Sequence, residues 1–238
     1  MPPDPYLQTT GLCRHYRRGP TVVKALDGVT MAVGRGEYLG IVGSSGSGKT
    51  TLLNLLAGLD TPTSGSVSLG DVPLSAMSRR ELAGYRARCV GMVFQSFNLI
   101  AHATALQNVE MALLFNGTPP RERRRRATAI LERLGLADRM THHPADLSGG
   151  EQQRVAVARA IVKKPEILFA DEPTGNLDFE NALEIASLLE TLNKEGLAIV
   201  LVTHNLEMAQ QYTQRTIRMQ YGVILQTGLP GNAGAPHP

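Results

Sequence analysis

Tyr38-Leu39-Gly40-Ile41-Val42-Gly43-Ser44-Ser45-Gly46-Ser47-Gly48-Lys49-Thr50-Thr51-Leu52-Leu53 is the stretch that decides the fold. Five mostly apolar residues run straight into a Gly/Ser-rich loop. From Thr51 to Ala57 leucines then recur at helical spacing and stop at Gly58. The pattern predicts a strand, a phosphate-binding loop and a helix. Glycines there let backbone N–H groups converge on phosphate oxygens, and the helix N-terminus adds a favourable dipole. Lys49 supplies a cation for the β- and γ-phosphates, and the Thr50 hydroxyl is placed to ligate Mg²⁺. An ordinary Gly/Ser turn would need neither the buried-type strand before it nor the leucine-rich helix after it. The candidate nucleotide-binding set is Gly43, Ser44, Ser45, Gly46, Ser47, Gly48, Lys49, Thr50 and Thr51.

Further along, Ile167-Leu168-Phe169-Ala170 reads as a buried strand that delivers Asp171 and Glu172 to its C-terminal end, where open α/β sheets bind ligands. Asp171 can hold Mg²⁺ directly or through water, and Glu172 can polarise an attacking water as a general base. Leu147-Ser148-Gly149-Gly150-Glu151-Gln152-Gln153-Arg154 opens a helix and offers a second anion site made of N–H groups. A helix N-cap with a glycine pair explains Ser148, but not the whole run.

Around these motifs, Val22 to Val33 and Val67 to Leu69 read as short strands about turns, which predicts a small antiparallel β subdomain. Val90 to Phe94 and Ala198 to Thr203 are further apolar strands. Residues 108–139 turn mostly helical, interrupted by Gly117-Thr118-Pro119-Pro120. Helices are also expected over residues 151–162 and 181–195. The fold class is therefore α/β, with a largely parallel core and a helical insertion at about residues 95–150. Residues 1–227 make one nucleotide-binding domain, and Gly228 to Pro238 form a Gly/Ala/Pro-rich tail expected to be poorly ordered.

The net charge of +3 is too mild to argue for nucleic acid. Arg121-Glu122-Arg123-Arg124-Arg125-Arg126 lacks interleaved aromatics to stack bases and reads as a solvated helix face. No apolar stretch reaches the roughly 18–20 residues of a membrane span, and the first residues do not form a secretory signal. Cys13 and Cys89 show no paired spacing for metal or redox work. These features lead us to expect a soluble intracellular chain whose membrane-spanning partner, if it transports anything, is another chain.

Taken in order, Gly43–Thr50, Gln95, Leu147–Arg154, Ile167–Glu172 and His204 resemble the ATP-binding subunit of an ABC transporter over nearly the whole chain. The resemblance implies a P-loop NTPase (RecA-like) fold and ATP hydrolysis with Mg²⁺. It also implies a head-to-tail homodimer in which Ser148, Gly149 and Gly150 act on the partner subunit's ATP. It gives Gln95 a contact to Mg²⁺ or water and a relay to the membrane partner. His204 would contact the γ-phosphate, and Tyr16 would stack on adenine. A lone Gln, His or N-terminal aromatic is more often structural, so these three roles rest on the resemblance alone.

Ala170 to Asp178, Thr104 to Glu110 and Gly58 to Gly65 are similar to the branch serving lipoprotein release, macrolide export and cell division. That branch implies integral membrane permease subunits as partners, no nucleic acid, and a peripheral place on the cytoplasmic face of the inner membrane. Ala101, Asn205 and Tyr221-Gly222 depart from the family's usual residues, and none of them is a phosphate, metal or base ligand. A soluble ABC ATPase acting on DNA or ribosomes stays open as the alternative. Against it stand a single cassette, only about 98 residues between Lys49 and Ser148, and no zinc pattern.

Overall fold

The computed structural model describes residues 5–228. The chain begins with a long antiparallel hairpin, β1 (Pro5–Arg18) and β2 (Thr21–Gly34). β4 (Ser64–Leu69) pairs with the other side of β1, and the short β5 (Val72–Pro73) pairs with β4. This four-stranded antiparallel sheet runs β2-β1-β4-β5. The first subdomain is thus larger than the sequence suggested. Val22 to Val33 is one continuous strand rather than short pieces about a turn, because register shifts near Leu12 and Arg14 of β1 absorb the irregularity at Asp27-Gly28.

The main sheet contains β3 (Tyr38–Val42), β6 (Val90–Phe94), β7 (Ile167–Asp171), β8 (Ala198–Thr203), β9 (Arg215–Gln220) and β10 (Val223–Gly228). Its order is β10-β9-β3-β8-β7-β6, parallel except for the β9/β10 hairpin at one edge. Strand residues divide by the two-residue period of a pleated sheet. Leu39, Ile41, Phe169, Val200 and Val202 face a core shared with α1 (Lys49–Leu56) and the antiparallel sheet. Tyr38, Leu168, Ala170, Ile199 and Leu201 face a second core, filled by α5 (Gly149–Ile161) and α6 (Phe179–Lys194). Each such fully buried aliphatic side chain contributes about 1.5–3 kcal/mol. Two buried faces explain why these strands read as continuous apolar runs.

Between β6 and α5 stand α3 (Ala105–Leu114) and α4 (Pro120–Arg133), which pack on one another and on α5 and share the second core. Glu122 of α4 pairs with Arg125 and Arg126 on the exposed face of that helix. α2 (Arg79–Cys89) lies before β6, and α7 (Leu206–Tyr212) lies between β8 and β9. Among the described residues no helix is long and apolar enough to cross a membrane. Gly228 ends β10; the remainder of the predicted tail lies outside the described residues.

Candidate functional site

Strand β3 is fully buried between β8 and β9, so its C-terminal end is fixed in position. The loop leaving it turns through Gly48 at φ 99°, where a Cβ would come within 2.4 Å of the Ala25 carbonyl oxygen. Glycine is required there by both the backbone angle and the close approach of β2. The Ser47 carbonyl accepts a hydrogen bond from Gly222 N–H at 3.0 Å, bracing the loop against the β9/β10 turn. Lys49 is buried, and its ammonium donates to the carbonyls of Gly43 (2.8 Å) and Ser44 (2.9 Å). It is therefore held along the loop that would wrap a phosphate chain.

Thr50, in the first turn of α1, donates from Oγ1 to Asp171 Oδ1 at 3.3 Å. Burial pushes the Asp171 carboxyl above its ordinary pKa; the Thr50 bond opposes that shift, neighbouring Glu172 adds to it, and Lys49 opposes it. A carboxylate disfavoured by burial and a hydroxyl beside it form a hard oxygen pair suited to Mg²⁺, whose charge would offset the desolvation of Asp171.

Glu172 follows at φ 49°, a left-handed angle uncommon for a non-glycine residue. Its N–H still bonds the Val202 carbonyl at 2.8 Å, so the turn begins as the sheet ends. Oε2 of Glu172 lies 2.5 Å from His204 Nδ1, which comes from the end of neighbouring β8. His204 also borders a depression of about 380 Å³ lined by Gly43, Ser44 and Arg218. The sheet thus brings five predicted residues, Lys49, Thr50, Asp171, Glu172 and His204, to one edge.

Gln95 is one residue beyond β6, whose Phe94 is in register with Asp171. Its amide nitrogen donates to Asn176 Oδ1 and its carbonyl accepts from Asn176 Nδ2, both at 3.1 Å. It is joined here to the loop after Glu172. Tyr16 is held from two directions: Arg14 lies 4.6 Å from its ring centroid, and its hydroxyl donates to Asp60 at 2.8 Å. The ring remains 38% exposed. Arg14 is in register with Leu26, whose side chain lies 3.0 Å from where a Cβ on Gly48 would stand, and Tyr16 is in register with Val23.

Ser148 caps α5, accepting from Glu151 N–H at 3.2 Å while Glu151 Oε2 accepts from Ser148 N–H at 2.8 Å. Its capping role is thus realised. Gly150 is buried against α6; a Cβ there would fall 1.8 Å from Asn181 Oδ1. Helix α1 packs on β2, β7 and β8, whereas α5 packs on α3, α4, α6 and β6. At the N-terminus of α5, Gly149 and Gly150 lie against Leu177 and Asn181, just beyond the loop that follows Glu172. Gln153, in the same helix, has no role that the sequence motif alone assigns. It is fully buried, and its amide nitrogen donates to the Pro173 carbonyl and lies 3.5 Å from that of Phe94. It ties α5 to the chain on either side of Gln95 and Glu172, a tertiary contact with no local signal.

A larger cavity of about 970 Å³, bordered by Tyr6, Arg35, Arg126 and Glu166, contains none of the motif residues. The chemistry instead lies on an open edge. Such an edge becomes enclosed only when another surface closes on it.

Residues 26–175 match the protein family described as ABC transporter. An uncharacterized ABC transporter ATP-binding protein of Thermotoga maritima is 50% identical over 198 residues, which is 83% of this chain and 85% of that protein. The macrolide export ATP-binding/permease protein MacB of Rhodopirellula baltica is 45% identical over 92% of this chain, which spans only 32% of that protein. The ATP-binding cassette MJ0796, in a dimeric post-hydrolysis structure bound to ADP and Pi, superposes with TM-score 0.88 at 37% identity, covering 95% of this chain and 99% of that one. These matches favour the transporter reading over an ATPase acting on DNA or ribosomes.

Proposed function

The chain belongs to the ABC transporter family, and we propose that two copies close head-to-tail around two ATP molecules to drive a separate membrane permease. The observation that carries this is the convergence itself: Lys49, Thr50, Asp171, Glu172 and His204 meet at one end of the main sheet, while Ser148 begins a helix whose Gly149 and Gly150 lie against Leu177 and Asn181. A second copy would bring its own Ser148-Gly149-Gly150 over the exposed phosphates, adding N–H donors where negative charge develops.

In this reading Gly43 to Thr51 cradle the triphosphate, Lys49 balances its charge, and Tyr16 stacks on adenine. Thr50 and Asp171 would hold Mg²⁺, with Gln95 swinging from Asn176 to join them; bound there, the ion would neutralise phosphate charge. Glu172 accepts the proton of the attacking water, and His204 keeps that carboxylate aimed while facing the γ-phosphate. The contact between Gln95 and Asn176 links the metal side of the site to the loop after Glu172, a route by which closure could be relayed to a permease.

The likeness to macrolide export proteins, in which an ATP-binding part and a permease are named together, supports a permease partner of that type. We place the chain peripherally on the cytoplasmic face of the membrane, without nucleic acid as a partner. The test is coexpression with the candidate permease, crosslinking from a cysteine introduced beside Gln95, and mass analysis of the detergent-extracted complex. Two copies of each subunit support the proposal. Recovery of ribosomal proteins or DNA with no integral membrane protein overturns it.

A further inference from the structure

We propose that Cys13, His15 and Asp27 form a binding site for a divalent transition metal of the zinc class, separate from the ATP site. Cysteine spacing along the chain gave no hint of it, because the third ligand comes from the facing strand. Cys13 and His15 are two residues apart on β1, and Asp27 is on β2 where the register shifts between Leu12 and Arg14. Bulges of this kind re-aim side chains out of the regular alternation. Here they gather a sulfur, an imidazole nitrogen and a carboxylate oxygen, all within 4.8 Å of one another.

The separations lie close to those around one ion, so that a small shift of the side chains would complete the site. Cys13 Sγ is 3.9 Å from Asp27 Oδ1, and His15 Nε2 is 3.4 Å from the same oxygen. Ligands about 2.0–2.3 Å from a tetrahedral zinc lie roughly 3.3–3.8 Å apart. His15 Nε2 is buried and makes no hydrogen bond. At 3.4 Å it makes only a weak ion-pair contact with the carboxylate, and coordination would give this buried nitrogen a full partner.

The surroundings suit the three ligands. Gly28 N–H donates to Cys13 Sγ at 3.1 Å, which favours thiolate character and fixes the sulfur. Lys24 holds the other carboxylate oxygen, Oδ2, at 3.0 Å, leaving Oδ1 for the cluster. Three protein ligands of mixed N, S and O type leave a fourth position for water, and they favour zinc over magnesium, which takes oxygen donors. The site also adjoins the nucleotide loop: Asp27 N–H bonds the Gly222 carbonyl at 2.9 Å, and Gly222 N–H bonds the Ser47 carbonyl at 3.0 Å.

The test uses the purified full chain without an affinity tag, free of nucleotide and Mg²⁺. Zinc stoichiometry and affinity are measured by equilibrium dialysis, and Co²⁺ serves as a spectroscopic probe. One zinc per chain is expected, with Co²⁺ giving a thiolate-to-cobalt charge-transfer band. Cys13→Ser should abolish that band. Cys13→Ser and His15→Gln should each weaken zinc by at least about tenfold, since loss of even an outer-shell partner costs that much. Cys89→Ser should bind as the unaltered chain does. Substoichiometric zinc in the unaltered chain, or unchanged affinity in folded Cys13→Ser, overturns the proposal.

Discussion

Thr50 Oγ1 donates to Asp171 Oδ1 across 3.3 Å, joining the first turn of α1 to the end of β7. Burial raises the Asp171 pKa above its value in the unfolded chain. Between those two pKa values the folded state binds more protons, so stability falls as pH rises through that interval. The ionised carboxylate therefore costs folding free energy above the folded pKa, and the cost vanishes below the unfolded one. Asp171→Asn should raise the melting temperature of the nucleotide-free chain at neutral pH and flatten its dependence on acid pH. The same variant should lose Mg²⁺-dependent ATP hydrolysis. Thermal scans across the acid range check the first effect, and a lower melting temperature at neutral pH would contradict it.

Lys49 donates to two loop carbonyls and should transfer those bonds to phosphate oxygens on binding. Lys49→Ala should lower ATP turnover by about 10²-fold or more, the scale of losing one aimed donor from a developing charge. Steady-state phosphate release measures this; a rate within twofold of the unaltered chain would remove Lys49 from the assigned role.

Gly150 is buried where a Cβ would strike Asn181, and Asn181 is anchored by a 2.7 Å bond from its amide to Asp178 Oδ2. Gly150→Ala should destabilise the fold by about 1–3 kcal/mol through overpacking. Asn181→Ala added to it should recover part of that loss. Denaturant titration of the double-mutant cycle decides whether the conflict is steric, because additive losses would mean it is not.

The motifs were legible from local sequence because each sits where a buried strand ends. Residues 38–42, 167–170 and 198–202 are runs of buried, almost wholly apolar residues, so the residues that follow them had to lie on one sheet edge. β1 was not legible: Leu7 and Leu12 are buried, but Gly11 and the bulges around Cys13 break its alternation. α2 was missed because only Leu82 and Tyr85 are buried on an otherwise charged helix. The approach of Gln153 to Pro173 and the meeting of Gln95 with Asn176 depend on tertiary packing alone. Asn205 stands where the family usually has aspartate, and it caps α7 by accepting from Met208 N–H at 2.9 Å. That replacement keeps the cap beside His204.

Tyr221 and Gly222 make the β9/β10 turn with φ values of 49° and 77°. A two-residue hairpin turn with both angles positive favours Asn-Gly or Asp-Gly. Tyr221 is 82% exposed, so no packing offsets its strain. Tyr221→Asn should stabilise the chain by about 1 kcal/mol, the low end of the cost of a non-glycine residue in that region. Chemical denaturation measures it, and a destabilised variant would show that Tyr221 makes contacts the monomer does not reveal.

In the proposed reading hydrolysis happens between two copies, with Glu172 as the base that ends the closed state. Glu172→Gln keeps shape and hydrogen bonding but cannot accept the water's proton. Light scattering of this variant with ATP and Mg²⁺ separates a closed dimer from a monomer. The variant should show twice the monomer mass with ATP and the monomer mass without it, and the unaltered chain only a transient dimer. A Glu172→Gln protein that binds ATP yet stays monomeric at high concentration, alone and with the candidate permease, would rule out the head-to-tail dimer.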